Sequence, residues 1–570
     1  ETCIDLPMST LFGKPPKMDR SSEHVKRQLR AFDSSLATYL PGLDEKARFA
    51  AAVDRVLHLP SVGSKSFLIT IGDRSITGLV ARDQMVGPFQ VPVADVAVTR
   101  TSHSFDDNAA GEAMASGERT PLSLFSGAAA ARMAVGETLT NMAAAYIDDI
   151  RKIKLSANWM CSAGFQHDGA VLYDAVQAVG MDFCPRLGVS IPVGKDSMSM
   201  GMSWRSDRNE NEPEHETRTV TAPVSPIVSG FAPVANVSQT WTPTLRMLDD
   251  SCLLLVDLGH GRQRLGGSAL AQVFREVGTE APDVEEPEVL RAFFSAMNIM
   301  KQMHAGMPHS APLVHAYHDR SDGGLLATVL EMSFAGRLGL DMDITGILHD
   351  TPMAALFNEE LGAVLQVRVK DVSAVTSVLT SMGVPSNIIH TVASVRGDEQ
   401  INIKCRGETL LSSTRAALQK AWADTSFRMQ SLRDNPECAK QELAFIDEPA
   451  ETASLKYELT FHPAKTLQWS NPASIERPLA SQPRVAILRE QGVNGHIEMA
   501  WAFASAGFST YDVHMTDLLN GHQSLEPFVG LAACGGFSYG DVLGSGRGWA
   551  QSILHSSRVN EEFARFFACL

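Results

Sequence analysis

The chain has 570 residues, of which 44% are hydrophobic and 20% are charged, and its formal net charge at pH 7 is −16. This length exceeds what a single hydrophobic core supports, and the composition excludes a disordered or collagen-like chain, so we expect several folded domains. The acidic balance and the lack of a clustered Lys/Arg surface argue against nucleic acid as a partner.

Three features of the sequence indicate the compartment. No apolar run has the length that spans a bilayer, and the first residues, ETCIDLPMST, lack the plan of a signal peptide. The eight cysteines are scattered without a CxxC pair, which fits a reducing compartment. We therefore expect a cytoplasmic protein with no membrane partner.

Residues 1–44 are expected to be a connector, because residues 1–30 are polar and rich in Pro and Lys. The sequence starts at Glu1 rather than Met, which is typical of a cut or processed N-terminus. This segment should contribute little to any core.

An α/β unit is predicted over residues 45–225. The string KARFAAAVDRVLHL has its apolar residues at helical spacing, whereas SFLITIGD at 66–73 and VPVADVAV at 91–98 are typical of strands. The Ala- and Met-rich stretch 122–150 predicts one or two buried helices. The strongly polar stretch 204–219 predicts a solvated hairpin tip or an insertion.

An α+β unit is predicted over residues 226–420. VSPIVSGFAPV and CLLLVDLG indicate buried strands, and GGSALAQVFREVG indicates a helix that opens on a Gly pair. Helix and strand patterns then alternate through AALFNEELGAVLQVRV, AVTSVLTSMGV and INIKC. The length fits one ordinary domain.

The C-terminal part of the chain predicts a linker and then a different fold. Six prolines recur over 421–483 without sustained periodicity, which predicts an extended linker. Over 484–570 the strings RVAILRE, GHIEMAWAFASAG, FSTYDVHM and LAACGG predict a strand, a helix and two more strands. This is the start of a doubly wound α/β domain, and we expect it to be unfinished at Leu570.

Oxygen-bearing side chains indicate a Mg²⁺ site. Glu137 and Asn141 are four residues apart in an apolar helical stretch, so they share one face, and a buried carboxylate there needs a partner. The alternative is a capping or helix–helix hydrogen bond. Asp95 and Asp319, with Ser321 and Asp322, supply oxygens at strand and loop ends, although each alone is more often a turn residue. Together these groups predict a cradle for two Mg²⁺ ions and phosphates.

Several other motifs in the sequence have simpler interpretations. GGFSYGDVLGSGRG does not fit GxGxxG, no GxxxxGK[ST] occurs, and the segments around Lys65 and Lys195 only resemble the tail of that loop. His315 and His318 are interpreted as ordinary core or surface histidines. Cys534 is favoured as a buried structural cysteine over a nucleophile. Gly535 and Gly536 indicate either a tight turn or an oxyanion-binding role, and the residues alone leave both open.

The ordered motifs resemble a known family over essentially the whole chain. It is the family of the large single-chain phosphoribosylformylglycinamidine synthases. The strings that carry the resemblance are DLPMSTLFGKPPKM, TIGDRSITGLVARDQMVGPFQVPVAD, GERTPLSLFSGAAAARMAVGETLTN, IKLSANWM, IPVGKDSMSM, YHDRSDGGLL, LFNEELGAVLQV, MQSLRDNPEC and VAILREQGVNGHIEMAWAFASAGF.

The resemblance implies an enzyme of de novo purine biosynthesis. Such a ligase converts formylglycinamide ribonucleotide, glutamine, ATP and water to formylglycinamidine ribonucleotide, glutamate, ADP and phosphate. It phosphorylates the amide oxygen and then adds ammonia from a class I glutaminase domain. The chain resembles the second AIR-synthetase-like half, with N- and C-terminal subdomains, followed by the start of the glutaminase. The first half and the rest of the glutaminase would then be partners.

The resemblance also assigns site residues. It implies that this half holds an auxiliary nucleotide, ATP or ADP, with Mg²⁺. The glutaminase nucleophile of the family lies in a GVCNGCQ segment, which does not occur among the 570 residues, so the fragment is expected to be inactive alone. The alternative is a non-catalytic nucleotide-binding scaffold. The implied Mg²⁺ ligands are Asp95, Glu137, Asn141 and Asp319, the implied nucleotide contacts are Lys65, Ala94 and Ser321, and the implied oxyanion hole is Gly535 and Gly536.

Overall fold

The structure is a computed structural model of the chain. Its described residues form three sheets that each have three or more strands, and a separate two-stranded hairpin. No described helix is both long enough and apolar enough to cross a membrane. The residues that the structure describes are 5–13, 21–25, 27–75, 78–103, 109–165, 168–205, 217–306, 311–453, 458–462, 482–542 and 544–568.

The first sheet has six strands in the order β1-β2-β3-β8-β4-β5, and only β4 and β5 run parallel. Its strands are β1 (Val80–Arg82), β2 (Ala97–Arg100), β3 (Gly111–Glu118), β4 (Lys154–Met160), β5 (Ser190–Ser197) and β8 (Ser225–Val234). Because β8 belongs to this sheet, the two predicted units divide after Val234, and the predicted division at 225 cuts into a strand.

The helices of this region include the predicted buried one. Residues 122–150 form a single α-helix flanked by two 3₁₀ turns, and that helix lies against β3 and β8. Ser126 caps it by accepting a hydrogen bond from the amide of Ala129 at 3.1 Å. The helices are α1 (Met8–Phe12), α2 (Glu45–Leu57), α3 (Ser66–Ile69), α4 (Gly127–Met142), α5 (Asp168–Gln177) and α6 (Cys184–Leu187), with a π-helical turn at Ala178–Phe183.

The polar stretch 204–219 is flanked by a hairpin, as predicted. Strands β6 (Gly201–Arg205) and β7 (Thr217–Thr221) pair antiparallel and are largely exposed. The tip itself, 206–216, lies outside the described residues.

The second sheet has seven strands in the order β10-β12-β9-β13-β11-β14-β15, with β11 and β14 parallel. Its strands are β9 (Ser251–Asp257), β10 (Ala316–Asp319), β11 (Gly339–Asp343), β12 (Gly362–Arg368), β13 (Ile389–Arg396), β14 (Gln400–Cys405) and β15 (Glu408–Thr414). Its helices are α7 (Ala269–Val273), α8 (Pro287–Gly306), α9 (Gly324–Gly336), α10 (Pro352–Phe357), α11 (Val372–Met382), α12 (Arg415–Arg433), α13 (Pro436–Phe445) and α14 (Ala450–Ala453).

Strand β9 lies between the two largest hydrophobic cores and is buried along its whole length. Successive side chains of a strand point to opposite faces. Accordingly Cys252, Leu254 and Val256 belong to the core that includes the first sheet and α8, whereas Leu253 and Leu255 belong to the core around α2 and α9. Both faces of the strand are therefore covered.

The predicted connector and the first predicted helix pack on this second core. Leu36 is fully buried there, and the ring of Tyr39 stacks on Phe274 with ring centroids 5.2 Å apart. Helix α2 buries Phe49 in the same core. The segment from about Phe32 onward is therefore part of the folded unit rather than a connector.

The prediction of a strand at 66–73 is wrong, because the chain forms helix α3 there. The short apolar run does not face a core: Leu68 is 55% exposed and Ile71 is 72% exposed. Hydrogen bonds with α12 hold the turn instead. The amide of Ser64 donates to the carbonyl of Trp422 at 2.9 Å, and the hydroxyl of Ser426 donates to the carbonyl of Ser64 at 2.6 Å.

The prediction of an extended linker over 421–483 is wrong for its first part. Helix α12 continues to Arg433, and α13 and α14 follow. Pro436 starts a helix instead of interrupting one, since Asn435 caps α13 by accepting from the amide of Glu437 at 2.9 Å. Residues 454–457 and 463–481 lie outside the described residues.

The third sheet confirms the predicted doubly wound start. Its strands are all parallel, in the order β17-β16-β18. The strands are β16 (Arg484–Arg489), β17 (Ser509–His514) and β18 (Gly530–Ala533), and the helices are α15 (His496–Ser505), α16 (Met515–Asn520), α17 (Ser545–Leu554) and α18 (Ser557–Ala568).

Candidate functional site

One cavity of about 200 Å³ collects the residues predicted to bind Mg²⁺ and nucleotide. It is lined by the loop after α2, the segment before β2, α4, the end of β10, α9 and α12. Three larger grooves, of about 850, 820 and 530 Å³, contain none of the predicted residues. The predicted residues that line the cavity are Lys65, Ala94, Asp95, Glu137, Asn141, Asp319 and Ser321.

Helix α4 is fixed against β10 by hydrogen bonds at its last turn. The hydroxyl of Tyr317 donates to the carbonyl of Thr140 at 2.6 Å, and the hydroxyl of Thr140 donates to Oδ2 of Asp319 at 3.2 Å. Because Glu137 and Asn141 are one turn apart on this helix, the same bonds set their position relative to Asp319.

Asp95 and His318 form the centre of the site. Nδ1 of His318 lies 2.7 Å from Oδ1 of Asp95, and Nε2 lies 2.9 Å from Oε2 of Glu331. The amide of Asp319 donates to the same Asp95 oxygen at 3.1 Å. His318 is buried, as a core histidine would be, and its ring in addition lines the cavity and bonds to Asp95.

The other carboxylate oxygen of Asp95, Oδ2, is the feature of the site that points to a ligand. Oδ2 is buried and has no hydrogen-bond partner among the described residues. The cavity is lined by five acidic side chains but only two basic ones, Lys65 and His318. An unpaired buried carboxylate oxygen in an acidic cavity fits a hard divalent cation, which takes oxygen ligands.

The electrostatics of the remaining oxygens agree with this fit. Burial and the neighbouring Asp95 raise the pKa of Asp319 well above its ordinary value. Burial raises the pKa of Glu137 to about 7, although Arg119 opposes the rise. The Asn141 amide nitrogen donates to the carbonyl of Ser116 at 3.3 Å, and among the described residues no hydrogen bond uses its side-chain oxygen. The site thus places several buried carboxylates and an amide side chain close together.

Zinc does not fit these side chains. Asp95, His318 and Asp319 have potential ligand atoms within 4.8 Å of one another. Both nitrogens of the His318 ring are, however, already hydrogen-bonded to carboxylates. Oxygen atoms alone remain as ligands, which favours Mg²⁺ or Ca²⁺ over zinc.

Lys65 and Ser321 lie at the rim of the same cavity. The Lys65 ammonium donates to the carbonyl of Ser61 at 3.0 Å, and burial lowers the pKa of that ammonium. The Ser321 hydroxyl donates to Oε2 of Glu331 at 2.6 Å, and its amide donates to Thr328 at 2.9 Å. A lysine point charge beside a cation site is suited to a phosphate group.

Sequence reasoning missed Arg119, which lies beneath the site. Its guanidinium contacts Asp322, lies 3.5 Å from Oε2 of Glu137 and lies 3.7 Å from Oε2 of Glu359. Glu359 in turn accepts from the amides of Gly323 and Ala269 at 2.8 and 2.9 Å. Arg119 thus neutralises part of the acidic cluster from the protein side.

The missed acid Glu331 had a readable signal. It is the only charged residue in α9, whose other positions are apolar or small, and this is the pattern that pointed to Glu137. His318 and Arg119 carried no comparable local signal, because Asp95, which bonds to His318, and Asp322, which bonds to Arg119, are far away in the sequence.

The two glycines after β18 are placed where a strand ends. Gly536 has φ of +148°, and a Cβ there would lie 2.6 Å from the carbonyl oxygen of Gly492. Among the described residues, no hydrogen bond uses the amides of Gly535 or Gly536 as donors. Cys534 is 6% exposed, and burial raises the pKa of its thiol, which agrees with a structural cysteine.

Comparison with known families divides the chain into the same three units. Residues 64–233 match the family described as FGAR-AT PurM_N-like domain, and residues 251–400 match the AIR synthase related protein, C-terminal domain. Residues 482–569 match the CobB/CobQ-like glutamine amidotransferase domain. The predicted fold class is thereby confirmed.

Similar proteins are found among solved structures. Thermotoga maritima PurL complexed with FGAR is 14% identical, with a TM-score of 0.44, over 65% of this chain and 53% of that chain. Escherichia coli HypE, a hydrogenase maturation protein, is 16% identical, with a TM-score of 0.34, over 54% of this chain and 84% of that chain.

A curated relative matches nearly the whole chain. The phosphoribosylformylglycinamidine synthase of Schizosaccharomyces pombe is 50% identical over 99% of this chain. The chain spans 41% of the length of that relative. With half of all aligned residues identical and all three units matched in order, the chain belongs to the phosphoribosylformylglycinamidine synthase family.

Proposed function

We propose that this chain is part of a ligase of purine biosynthesis and that its cavity holds an adenine nucleotide with Mg²⁺. The observation that carries the proposal is the convergence of seven predicted residues on one cavity in which Asp95 has an unpaired buried oxygen. The cytoplasmic location expected from the scattered cysteines is part of this proposal.

The proposed reaction converts formylglycinamide ribonucleotide, glutamine, ATP and water to formylglycinamidine ribonucleotide, glutamate, ADP and phosphate. The relative that is 50% identical bears the name of this activity, which supports the assignment. The amidotransferase unit over 482–569 supports glutamine as the nitrogen donor. The nucleotide of this cavity is proposed to be the auxiliary one, with a structural role.

In this proposal, Asp95, Glu137, Asn141 and Asp319 hold the cation. Bound Mg²⁺ would neutralise phosphate charge in an otherwise acidic cavity. Lys65 donates to the carbonyls of Ser61 and Gly63, so its third N–H would be left for a phosphate oxygen. Ser321 and the backbone at Ala94 would contact the nucleotide. Arg119 balances the carboxylates on the side away from the nucleotide.

The nucleotide site can be tested on the full 570-residue chain. We expect an adenine nucleotide to be released on denaturation and detected by HPLC. We also expect ADP with Mg²⁺ to raise the melting temperature more than ADP with EDTA, because a ligand that binds only the folded state stabilises it. Asp95→Asn should abolish the Mg²⁺-dependent part, whereas Asp148→Asn, which alters an exposed ion pair, should not. Absence of both nucleotide and shift in the unmodified chain would contradict the proposal.

The scaffold alternative makes a different prediction. The part of the relative that this chain does not match can be supplied separately and mixed with this chain. An enzyme segment should restore amidine formation, and the Asp95→Asn variant should restore less. A pure scaffold would bind the other part without restoring activity.

For the glutaminase unit, we propose that the free amides of Gly535 and Gly536 stabilise an oxyanion. In the reconstituted assembly, Gly536→Ala should lower glutamine-dependent amidine formation more than ammonia-dependent formation. Equal losses with both nitrogen donors would argue for a structural turn only.

A further inference from the structure

The ring of His318 lies between two carboxylates within the cavity. Its Nδ1 bonds to Oδ1 of Asp95 at 2.7 Å, and its Nε2 bonds to Oε2 of Glu331 at 2.9 Å. The side chains of His318 and Asp95 are 7% and 0% exposed, respectively, so water does not compete for these bonds. Burial and two bonds together fix the orientation of the ring.

The bond to His318 determines which oxygen of Asp95 is free. Oδ1 accepts from both His318 and the amide of Asp319, at 2.7 and 3.1 Å, and its acceptor capacity is thereby used. Oδ2 is left buried without a partner among the described residues. The carboxylate is therefore held with one oxygen presented to the cavity.

Glu331 joins this arrangement to Ser321. The same Oε2 atom accepts from the Ser321 hydroxyl at 2.6 Å and bonds to Nε2 of His318. Ser321 Oγ is itself only 3.2 Å from Nε2 of His318. One chain of hydrogen bonds thus runs from Asp95 through His318 and Glu331 to Ser321.

We propose that His318 and Glu331 are positioning residues that orient Asp95 as a cation ligand and couple it to Ser321. This inference rests on the proposed function, because it concerns how the same cavity holds its cation and nucleotide. Groups that hydrogen-bond to metal ligands fix the ligand geometry, and their loss typically weakens metal binding about 10- to 100-fold. In this proposal, neither residue is itself a cation ligand.

Two substitutions separate the two bonds of the ring. Asn carries its amide nitrogen at the same distance along the side chain as His Nδ1, so His318→Asn retains the bond to Asp95. Gln carries its amide nitrogen near the position of Nε2, so His318→Gln retains the bond to Glu331. His315→Asn is the matched control, because His315 directly precedes β10, is buried and does not line the cavity.

The probe is Mn²⁺ in the presence of ADP, with free Mn²⁺ measured by electron paramagnetic resonance on the full chain. We expect His318→Asn to bind Mn²⁺ within about 3-fold of the unmodified protein and His318→Gln to bind about 10-fold or more weakly. The His315→Asn control should bind normally. A side chain that only fills space would not distinguish Asn from Gln in this way.

The outcomes are distinct. Normal Mn²⁺ binding by His318→Gln, or equal weakening by both variants, would overturn the positioning proposal and leave the proposed function intact. Failure of the unmodified protein to bind Mn²⁺ with ADP would overturn the proposed function as well. If His318→Gln does not fold, Glu331→Ala tests the proposal instead. This variant should bind both Mn²⁺ and ADP more weakly, and unchanged affinity for both would refute the coupling.

Discussion

Replacing Arg119 by Met should destabilise the cation-free protein strongly. Arg119 is 5% exposed and faces Glu137, Asp322 and Glu359. Met fills most of the volume, so little of the cost comes from a cavity. The cost arises because the carboxylates of Glu137 and Glu359 lose their nearest positive charge while they stay largely buried. Breaking a buried ion pair by removing one partner typically costs about 3–5 kcal/mol.

The loss in unfolding free energy caused by Arg119→Met should depend on whether Mg²⁺ is bound. With EDTA we expect the full loss in the free energy of unfolding, measured by urea titration at pH 8. Saturating Mg²⁺ should recover part of it, because Glu137 is both a proposed Mg²⁺ ligand and a partner of Arg119. The loss in unfolding free energy should also depend on pH. It should shrink toward pH 5, because protonation of Glu137 removes a negative charge there. The pKa of Glu137 is raised to about 7 even with Arg119 present.

The matched control is Arg132→Met. Arg132 also makes a two-pronged ion pair, with Nε 2.8 Å and Nη2 2.6 Å from the oxygens of Asp283, but it lies outside the cavity and is 23% exposed. Arg132→Met should lower the free energy of unfolding by about 1 kcal/mol, and this loss should be the same with Mg²⁺ and with EDTA. If Arg119→Met costs no more than this control, or if Mg²⁺ leaves its cost unchanged, the charge-balance reasoning is refuted.

Three further outcomes are expected. Tyr317→Phe should cost about 1–3 kcal/mol in urea unfolding, because it leaves the buried carbonyl of Thr140 without its 2.6 Å donor; a cost below about 0.5 kcal/mol would contradict this. Burial raises the pKa of Glu359 from 4.5 to about 7, so its contribution to stability in EDTA should be complete below pH 4.5 and lost as the pH rises through 7, and Glu359→Gln should flatten that slope. Iodoacetamide should modify exposed Cys438 quickly and buried Cys534 slowly under native conditions, as followed by mass spectrometry, and equal rates would contradict the structural role of Cys534.

Local patterns were enough to predict much of the fold. The stretch 484–533 alternates strand and helix signals, and the structure forms β16, α15, β17 and β18 there. The apolar stretch around Glu137 is a single buried helix, as expected. In these regions the local preference and the tertiary environment favour the same structure, so the pattern alone suffices.

The failures occur where distant contacts decide the structure. Residues 66–69 are helical because α12, more than 350 positions later, bonds to Ser64. The proline at Pro436 was interpreted as a sign of extended chain, but Asn435 before it makes it a helix start. A proline that directly follows an N-cap residue such as Asn435 can start a helix, and this neighbour is visible in the sequence.

The candidate site was only partly predictable for a similar reason. Glu137 is conspicuous because a charged residue in an apolar helix requires a partner wherever the helix packs. His318 gives no such sign, since its role depends on Asp95, 223 positions earlier. Acids in apolar surroundings are therefore detectable from sequence, whereas the groups that orient them require the fold.

The position of β9 bears on how the protein can be divided. The family matches end at 233 and restart at 251, which marks a convenient border for cloning. Yet β9 supplies alternate side chains to both cores, and α2, near the start of the chain, packs with the second. A cut at that border would remove β9 from the core that includes the first sheet. It would also remove α2 from the second core. The two segments match different family models but are expected to melt as one cooperative unit.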